Sequence, residues 1–171
     1  MITEHISLKH LNSFGIDASA KYFASFTDKS SLENSLQEAS VRSQTMALHP
    51  LILGGGSNIL FTRDVDGLVL KNEICGIEKI GEDDDHVFVK AGAGENWHRF
   101  VMHCIEQGYA GVENLALIPG SVGASPMQNI GAYGVEIKDV FHSLEAYHIA
   151  DKKWVTFNRP DCAFGYRESV F

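Results

Sequence analysis

The chain has 171 residues, of which 44% are hydrophobic and 21% charged, with a formal net charge of −8. That length permits one domain or two small lobes with a real core, and the composition is ordinary for a globular protein. The negative balance excludes a surface built for a phosphate backbone, which needs clustered Lys and Arg, so no nucleic-acid partner is expected. No apolar run approaches the roughly 20 residues of a membrane span. The opening Met1-Ile2-Thr3-Glu4-His5 also lacks the basic and apolar regions of a signal peptide, which predicts a cytoplasmic protein with no membrane partner.

Taken in chain order, Phe23 to Thr27 is a short apolar run leading into Asp28-Lys29-Ser30. Ser30 and Glu33 fit a capping box, and Leu32, Leu36 and Ala39 recur at helical spacing, predicting a helix over 31–42. His49 to Leu53 reads as a buried strand and Gly67 to Lys71 as another. Ile77 to Ile80 and His86 to Ala91 flank the acidic turn Glu82-Asp83-Asp84-Asp85, a hairpin pattern. Trp97 to Gln107 has apolar residues at 97, 100, 101, 104 and 105, an amphipathic helix that ends at Gly108. Tyr109 to Gly134 is mostly loop and short helix, and Ser143 to Ala150 pairs with Trp154 to Phe157 across Asp151-Lys152-Lys153. The mixture gives an α+β class, with a first lobe over 1–66 and a second over 67–171.

Cys75, Cys104 and Cys162 are odd in number and widely spaced, so they read as free, mostly buried thiols rather than a disulfide framework or a zinc site. His98 and His103 are five apart and do not share a helix face, and no metal is assigned. The last residues, Ser169-Val170-Phe171, form an apolar patch without a polar tail, from which a piece of a longer protein is expected.

Two glycine-rich stretches stand out. Leu53-Gly54-Gly55-Gly56-Ser57-Asn58 follows an apolar run and offers unhindered backbone N–H groups, with a hydroxyl and an amide beside them. It is neither a Walker A motif nor a dinucleotide fingerprint, and read alone it serves equally as a tight turn. The second stretch runs from Ile118-Pro119-Gly120-Ser121-Val122-Gly123-Ala124 through Ser125, Gln128 and Asn129 to Gly131-Ala132-Tyr133-Gly134. So dense a run of small residues forfeits buried apolar area, which argues for ligand contact over packing. Together the two loops point to a long ligand held at two places, such as a dinucleotide. Near the end, Phe164-Gly165-Tyr166-Arg167-Glu168-Ser169 carries an arginine whose planar fork suits a carboxylate or a developing oxyanion. Read alone, Arg167 is better explained by a surface ion pair with Glu168.

Both loops, together with Asn12-Ser13-Phe14-Gly15, Ala91-Gly92-Ala93-Gly94-Glu95-Asn96-Trp97, Gly111-Val112-Glu113-Asn114-Leu115 and Phe164-Gly165-Tyr166-Arg167, make the chain resemble the N-terminal half of the bacterial UDP-N-acetylenolpyruvoylglucosamine reductases. The resemblance implies a vanillyl-alcohol-oxidase-like (PCMH-type) FAD-binding fold of two α+β lobes with the cofactor between them. It also implies non-covalent FAD, NADPH as reductant, and reduction of UDP-N-acetylglucosamine enolpyruvate to UDP-N-acetylmuramate for peptidoglycan, by a cytoplasmic monomer. The pyrophosphate is expected on Gly54, Gly55, Gly56, Ser57 and Asn58. The rest of the cofactor is expected along Ile118, Pro119, Gly120, Gly123, Ala124, Ser125, Gln128, Asn129, Gly131, Ala132 and Tyr133. Arg167 matches the catalytic arginine that steadies the substrate carboxylate, and Tyr166 lines the same pocket, while Arg159 has no role.

The resemblance departs from some relatives at Ala124, where they carry Ser. It further implies that the proton-donating serine, the partner glutamate and the substrate-binding domain lie beyond Phe171, so this half alone is expected to hold FAD poorly and not to turn over. Two other readings remain: a flavin oxidase of the same superfamily, and a non-catalytic FAD-binding module. The oxidase reading is disfavoured because His49, the histidine nearest the first loop, precedes the strand.

Overall fold

A computed structural model describes residues 1–42 and 49–171. Their contacts divide into two compact units, Met1–Cys75 and Gly76–Phe171. In the first, β1 (Thr3–Ser7), β2 (Ser19–Phe26), β3 (Leu51–Leu53) and β4 (Val65–Asn72) form one sheet in the order β1-β2-β4-β3. β1 runs antiparallel to β2, whereas β4 lies parallel to both β2 and β3. Parallel neighbours need a crossover, and α1 (Lys29–Arg42) lies in the connection from β2 to β3. The strand expected at Gly67 to Lys71 is thus the middle of a longer one. Leu68, Val69 and Leu70 are all buried, as a central strand covered on both faces requires. The division falls after Cys75 rather than after residue 66, because β4 is hydrogen-bonded between β2 and β3 and cannot be separated from them.

The helix expected over 31–42 begins two residues earlier, and its cap differs from the expected Ser30–Glu33 box. Asp28 accepts from the Ser31 amide at 2.7 Å, and the Ser31 hydroxyl receives the amides of Thr27 and Asp28 at 3.0 and 3.1 Å. This reciprocal cap sets the start of α1. Leu32, Ser35, Leu36 and Ala39 are its buried positions, the i, i+3, i+4, i+7 stripe. The run from His49 yields only the short β3, with Ile52 exposed and Leu53 buried.

The second unit is built on three antiparallel pairs: β5 (Ile77–Glu82) with β6 (Val87–Ala91), β7 (Gly131–Ala132) with β8 (Val135–Glu136), and β9 (Ser143–His148) with β10 (Lys153–Asn158). The first and third are the hairpins that the sequence predicts. α2 (Trp97–Glu106) is the predicted amphipathic helix; Asn96 accepts from the Arg99 amide at 3.0 Å to cap it, and Trp97, Val101 and Cys104 form its buried side. The Gly108 amide bonds Ile105 O at 3.0 Å with φ at +75°, closing the helix as glycine readily does. The α2 residues pack with Val112, Leu115 and Ile137, the last from the short α3 (Ile137–Val140). The Trp97 indole donates to Leu115 O at 2.8 Å, which satisfies its N–H within that core.

Of the cysteines, Cys104 and Cys162 are buried and Cys75 is exposed, all as free thiols. Among the described residues no helix is long and apolar enough to cross a membrane.

Candidate functional site

The first glycine loop follows β3 in the first unit. Gly56 has φ at +66° and lies against the turn between β1 and β2, so close that a Cβ there would stand 2.0 Å from Leu11 O. That turn is held by buried Asn12, whose Nδ2 donates to Leu8 O at 2.8 Å and Ile16 O at 3.0 Å, while its Oδ1 accepts from the Ile16 amide at 3.0 Å. The Asn12-Ser13-Phe14-Gly15 motif therefore has a structural use: it braces the first loop, to which the Ser13 amide also donates, reaching Gly56 O at 3.0 Å. On the other flank, Lys71 Nζ donates to Gly54 O at 2.6 Å. Among the described residues, the N–H groups of Gly55, Gly56, Ser57 and Asn58 donate to no backbone carbonyl, and neither the Ser57 hydroxyl nor the Asn58 amide has a side-chain partner. A braced loop with several uncommitted donors suits an anion such as the pyrophosphate of FAD.

The second loop, in the second unit, is different. Several of its N–H groups are committed internally: Gly123 to Ala93 O, Ala124 to Ser121 O, Ser125 to Val122 O and Asn129 to Pro126 O, at 2.8 to 3.1 Å. Gly120 O accepts from the Trp97 amide and the Val122 amide reaches Glu95 O, so the stretch pairs along residues 93–97. The glycines fit that packing. A Cβ on Gly123 would meet Ala93 Cβ at 2.7 Å, and one on Gly131 would meet Val135 O at 2.9 Å. Here the expectation that small residues argue against packing is corrected, because backbone approaching backbone requires them. Ile118 packs toward the α2 core, the Ser125 hydroxyl donates to Val122 O at 2.7 Å, and Pro119, Gly123 and Ala124 present exposed surface.

The chain then brings five of the expected residues together. Gly131, Ala132, Tyr133, Tyr166 and Arg167 line a concavity of about 520 Å³, joined by Gly134, Val135 and Glu136. Tyr133 and Gly134 form the β7–β8 turn, both at positive φ, and Tyr133 is 89% exposed. Tyr166 and Arg167 form a second turn, closed by bonds between Gly165 and Glu168, with Tyr166 equally exposed. Arg167 has φ at +56°, and its Nη2 donates to Gln128 Oε1 at 3.4 Å. The ion pair with Glu168 considered from the sequence does not form; the Arg167 guanidinium reaches Gln128 instead. Asn129, expected as a cofactor donor, is fully buried: Nδ2 donates to Gly165 O at 2.8 Å and Oδ1 accepts from the Lys138 amide at 3.2 Å. Gly134, Val135 and Glu136 are lining residues outside the expected set, and the local signal for them was the Tyr-Gly hairpin turn; Glu136 is the charged one. Its carboxylate is held by Lys138 Nζ and by the reciprocal cap with Asp139 at the start of α3.

Chemically, the concavity offers a guanidinium on an exposed turn, with two exposed tyrosines among its lining residues, which suits a carboxylate-bearing ligand.

Residues 20–158 match the sequence family described as FAD binding domain. The UDP-N-acetylenolpyruvoylglucosamine reductase of Amoebophilus asiaticus (strain 5a2) is 52% identical over 170 residues, covering 99% of this chain and 49% of the relative. The chain spans about half the length of the curated relatives it matches. Among solved structures, the UDP-N-acetylenolpyruvylglucosamine reductase from Thermus caldophilus superposes with a TM-score of 0.74 at 22% identity, over 100% of this chain and 58% of that one. The VAO-type flavoprotein from Myceliophthora thermophila C1 gives a TM-score of 0.57 at 14% identity, over 88% of this chain and 30% of that one. These distant likenesses show the fold, which is the expected vanillyl-alcohol-oxidase-like (PCMH-type) FAD-binding fold of mixed α and β structure. With the family match running through most of both units, the chain belongs to the FAD binding domain family.

Proposed function

We propose that this chain is the FAD-binding half of a reductase that converts UDP-N-acetylglucosamine enolpyruvate to UDP-N-acetylmuramate for peptidoglycan, with NADPH as reductant and FAD held without a covalent bond. The observation that carries the reading is Arg167, presented with Tyr166 and Tyr133 in one concavity of an FAD binding domain. The names of the relatives supply the substrate. The reading makes the protein a cytoplasmic monomer.

When bound, the flavin supplies the capacity to accept a hydride from the nicotinamide and pass it on. The chain's own residues bind and orient. Gly54 to Asn58 take the pyrophosphate, Gly55 to Asn58 through their uncommitted N–H groups, with the Ser57 and Asn58 side chains. Gly123, Ala124 and Ser125 give packing surface rather than donors, because their N–H groups are already bonded within the protein, and Ile118, Pro119 and Gly120 lead into them. Gly131, Ala132 and Tyr133 flank the reacting end.

Arg167 holds the carboxylate of the enolpyruvyl group and steadies the negative charge that builds beside it as the hydride arrives. That charge is absent from the bound substrate and has developed by the transition state, so a preorganised cation lowers the barrier more than it tightens substrate binding. Tyr166 lines the same pocket. The resemblance assigns the protonating serine and a partner glutamate to the part of the family's proteins that this chain does not span.

The test compares wild type with Arg167→Ala in the whole protein that carries this chain. The expected result is equal flavin absorbance after desalting and a loss of NADPH-dependent reduction of at least about 100-fold, the usual effect of removing a preorganised charge stabiliser. Undiminished reduction in the variant refutes the role of Arg167. A folded wild-type protein that retains no flavin refutes the FAD reading.

A further inference from the structure

We propose that Asn129, with Gln128 and Ser169, is a positioning device for Arg167, and that Asn129 acts on the turn carrying the guanidinium rather than on the cofactor. This rests on the reading of Arg167 as the carboxylate ligand. The turn from Gly165 to Glu168 is closed only by Gly165 N to Glu168 O at 3.0 Å and a longer return bond at 3.4 Å. Its third residue, Arg167, sits in the left-handed region that long side chains seldom adopt. A short exposed turn with such a backbone needs outside support to keep one geometry.

Three consecutive residues supply it. Met127 O accepts from the Ser169 hydroxyl at 2.9 Å, Gln128 Oε1 from Arg167 Nη2 at 3.4 Å, and Gly165 O from Asn129 Nδ2 at 2.8 Å. The pairs run 127 with 169, 128 with 167 and 129 with 165, so 127–129 lies against alternate residues of the turn like one strand against another. The central anchor is Asn129, which has no exposed surface and itself has φ at +40°. Its second bond, from the Lys138 amide at 3.2 Å, ties the turn to the start of α3. With Oδ1 and one Nδ2 hydrogen committed to the protein and no surface exposed, the side chain is anchored to the turn. Arg167 thereby gains a fixed approach to the concavity from residues that do not themselves line it.

The experiment measures backbone amide exchange in this chain, and steady-state kinetics in the whole protein, for Asn129→Ala, Gln128→Ala and Ser169→Ala. Asn129→Ala is expected to speed exchange of Gly165 to Glu168 about tenfold, the equivalent of one net hydrogen bond, with the β9–β10 hairpin unchanged. In the whole protein, kcat is expected to fall about tenfold while FAD affinity and the KM for NADPH stay within twofold. Loss of FAD affinity with turn exchange and kcat unchanged overturns the inference, because Asn129 then acts on the cofactor.

Should Asn129→Ala fail to fold, the exposed bonds decide. Gln128→Ala and Ser169→Ala are expected to lower kcat several-fold without moving the thermal midpoint, whereas unchanged kcat in both overturns the positioning role. Wild-type activity in Arg167→Ala would sink the functional reading yet leave the exchange result standing, so the two failures are distinguishable.

Discussion

Replacing Gly56 by Ala tests whether the first loop is shaped by its own protein or by a ligand. The added Cβ would lie 2.0 Å from Leu11 O and 2.9 Å from Leu11 C. An ordinary carbon–oxygen contact is roughly 3.3 Å or more, so the loop or the Leu11–Asn12 turn must shift by over an ångström. The left-handed backbone at φ +66° adds about 1–2 kcal/mol for a residue with a Cβ. The shift also breaks the 3.0 Å bond from the Ser13 amide to Gly56 O, worth about 1 kcal/mol. It further disturbs the packing of Leu8, Leu53 and Phe61 beneath, as overpacking does at about 1–3 kcal/mol.

The expected loss is about 3–5 kcal/mol, a large part of the 5–15 kcal/mol or so that holds a typical domain. Gly134→Ala is the control: its φ is +83° but nothing lies within 4 Å of the new Cβ, so only the backbone term of about 1–2 kcal/mol remains. Urea unfolding followed by circular dichroism, without FAD, reads both. Equal losses for the two variants, or a Gly56→Ala chain within 1 kcal/mol or so of wild type, would refute the packing account.

Trp97→Phe keeps most of the apolar bulk but leaves Leu115 O without its 2.8 Å donor in the α2 core; a loss of about 1–3 kcal/mol is expected in the same assay. Thiol labelling at pH 8 should show one fast group, Cys75, since it is exposed, while burial first and Glu113 second push the Cys104 thiol up to about 11. Cys75→Ser should abolish the fast phase, and a second fast thiol would contradict the burial. Acid should destabilise through Asp28, whose carboxyl the Ser31 amide and hydroxyl hold below its ordinary value of 3.8. A lowered native pKa gives stability that is present above the unfolded value and lost as pH falls through the native one. Asp28→Asn keeps the cap acceptor but does not titrate, so its urea midpoint should fall less steeply than wild type below about pH 4. An equal or steeper fall would exclude Asp28 as a contributor.

The sequence by itself determined the elements whose signal is local. α2 was legible because Trp97, Val101 and Cys104 repeat on one face between Asn96 and Gly108. The 77–91 hairpin was legible because an acidic turn separates two β-rich runs, and the FAD-binding class followed from an ordered set of motifs. The first sheet was not legible in this way. β1 shows almost no buried side, and β4 takes its place from pairing with β2, some 45 residues earlier, as in Ala20 opposite Val65.

The site divided along the same line. Glycines announced close approach, but only the folded chain identified the neighbour as Leu11, Ala93 or Val135. Arg167 announced a cation, yet only the folded chain showed that Gln128 rather than Glu168 meets it. Periodicity and capping act within a few residues and are written in order along the chain. Backbone-to-backbone approach and hydrogen bonds across 36 to 42 positions are decided only when distant segments meet.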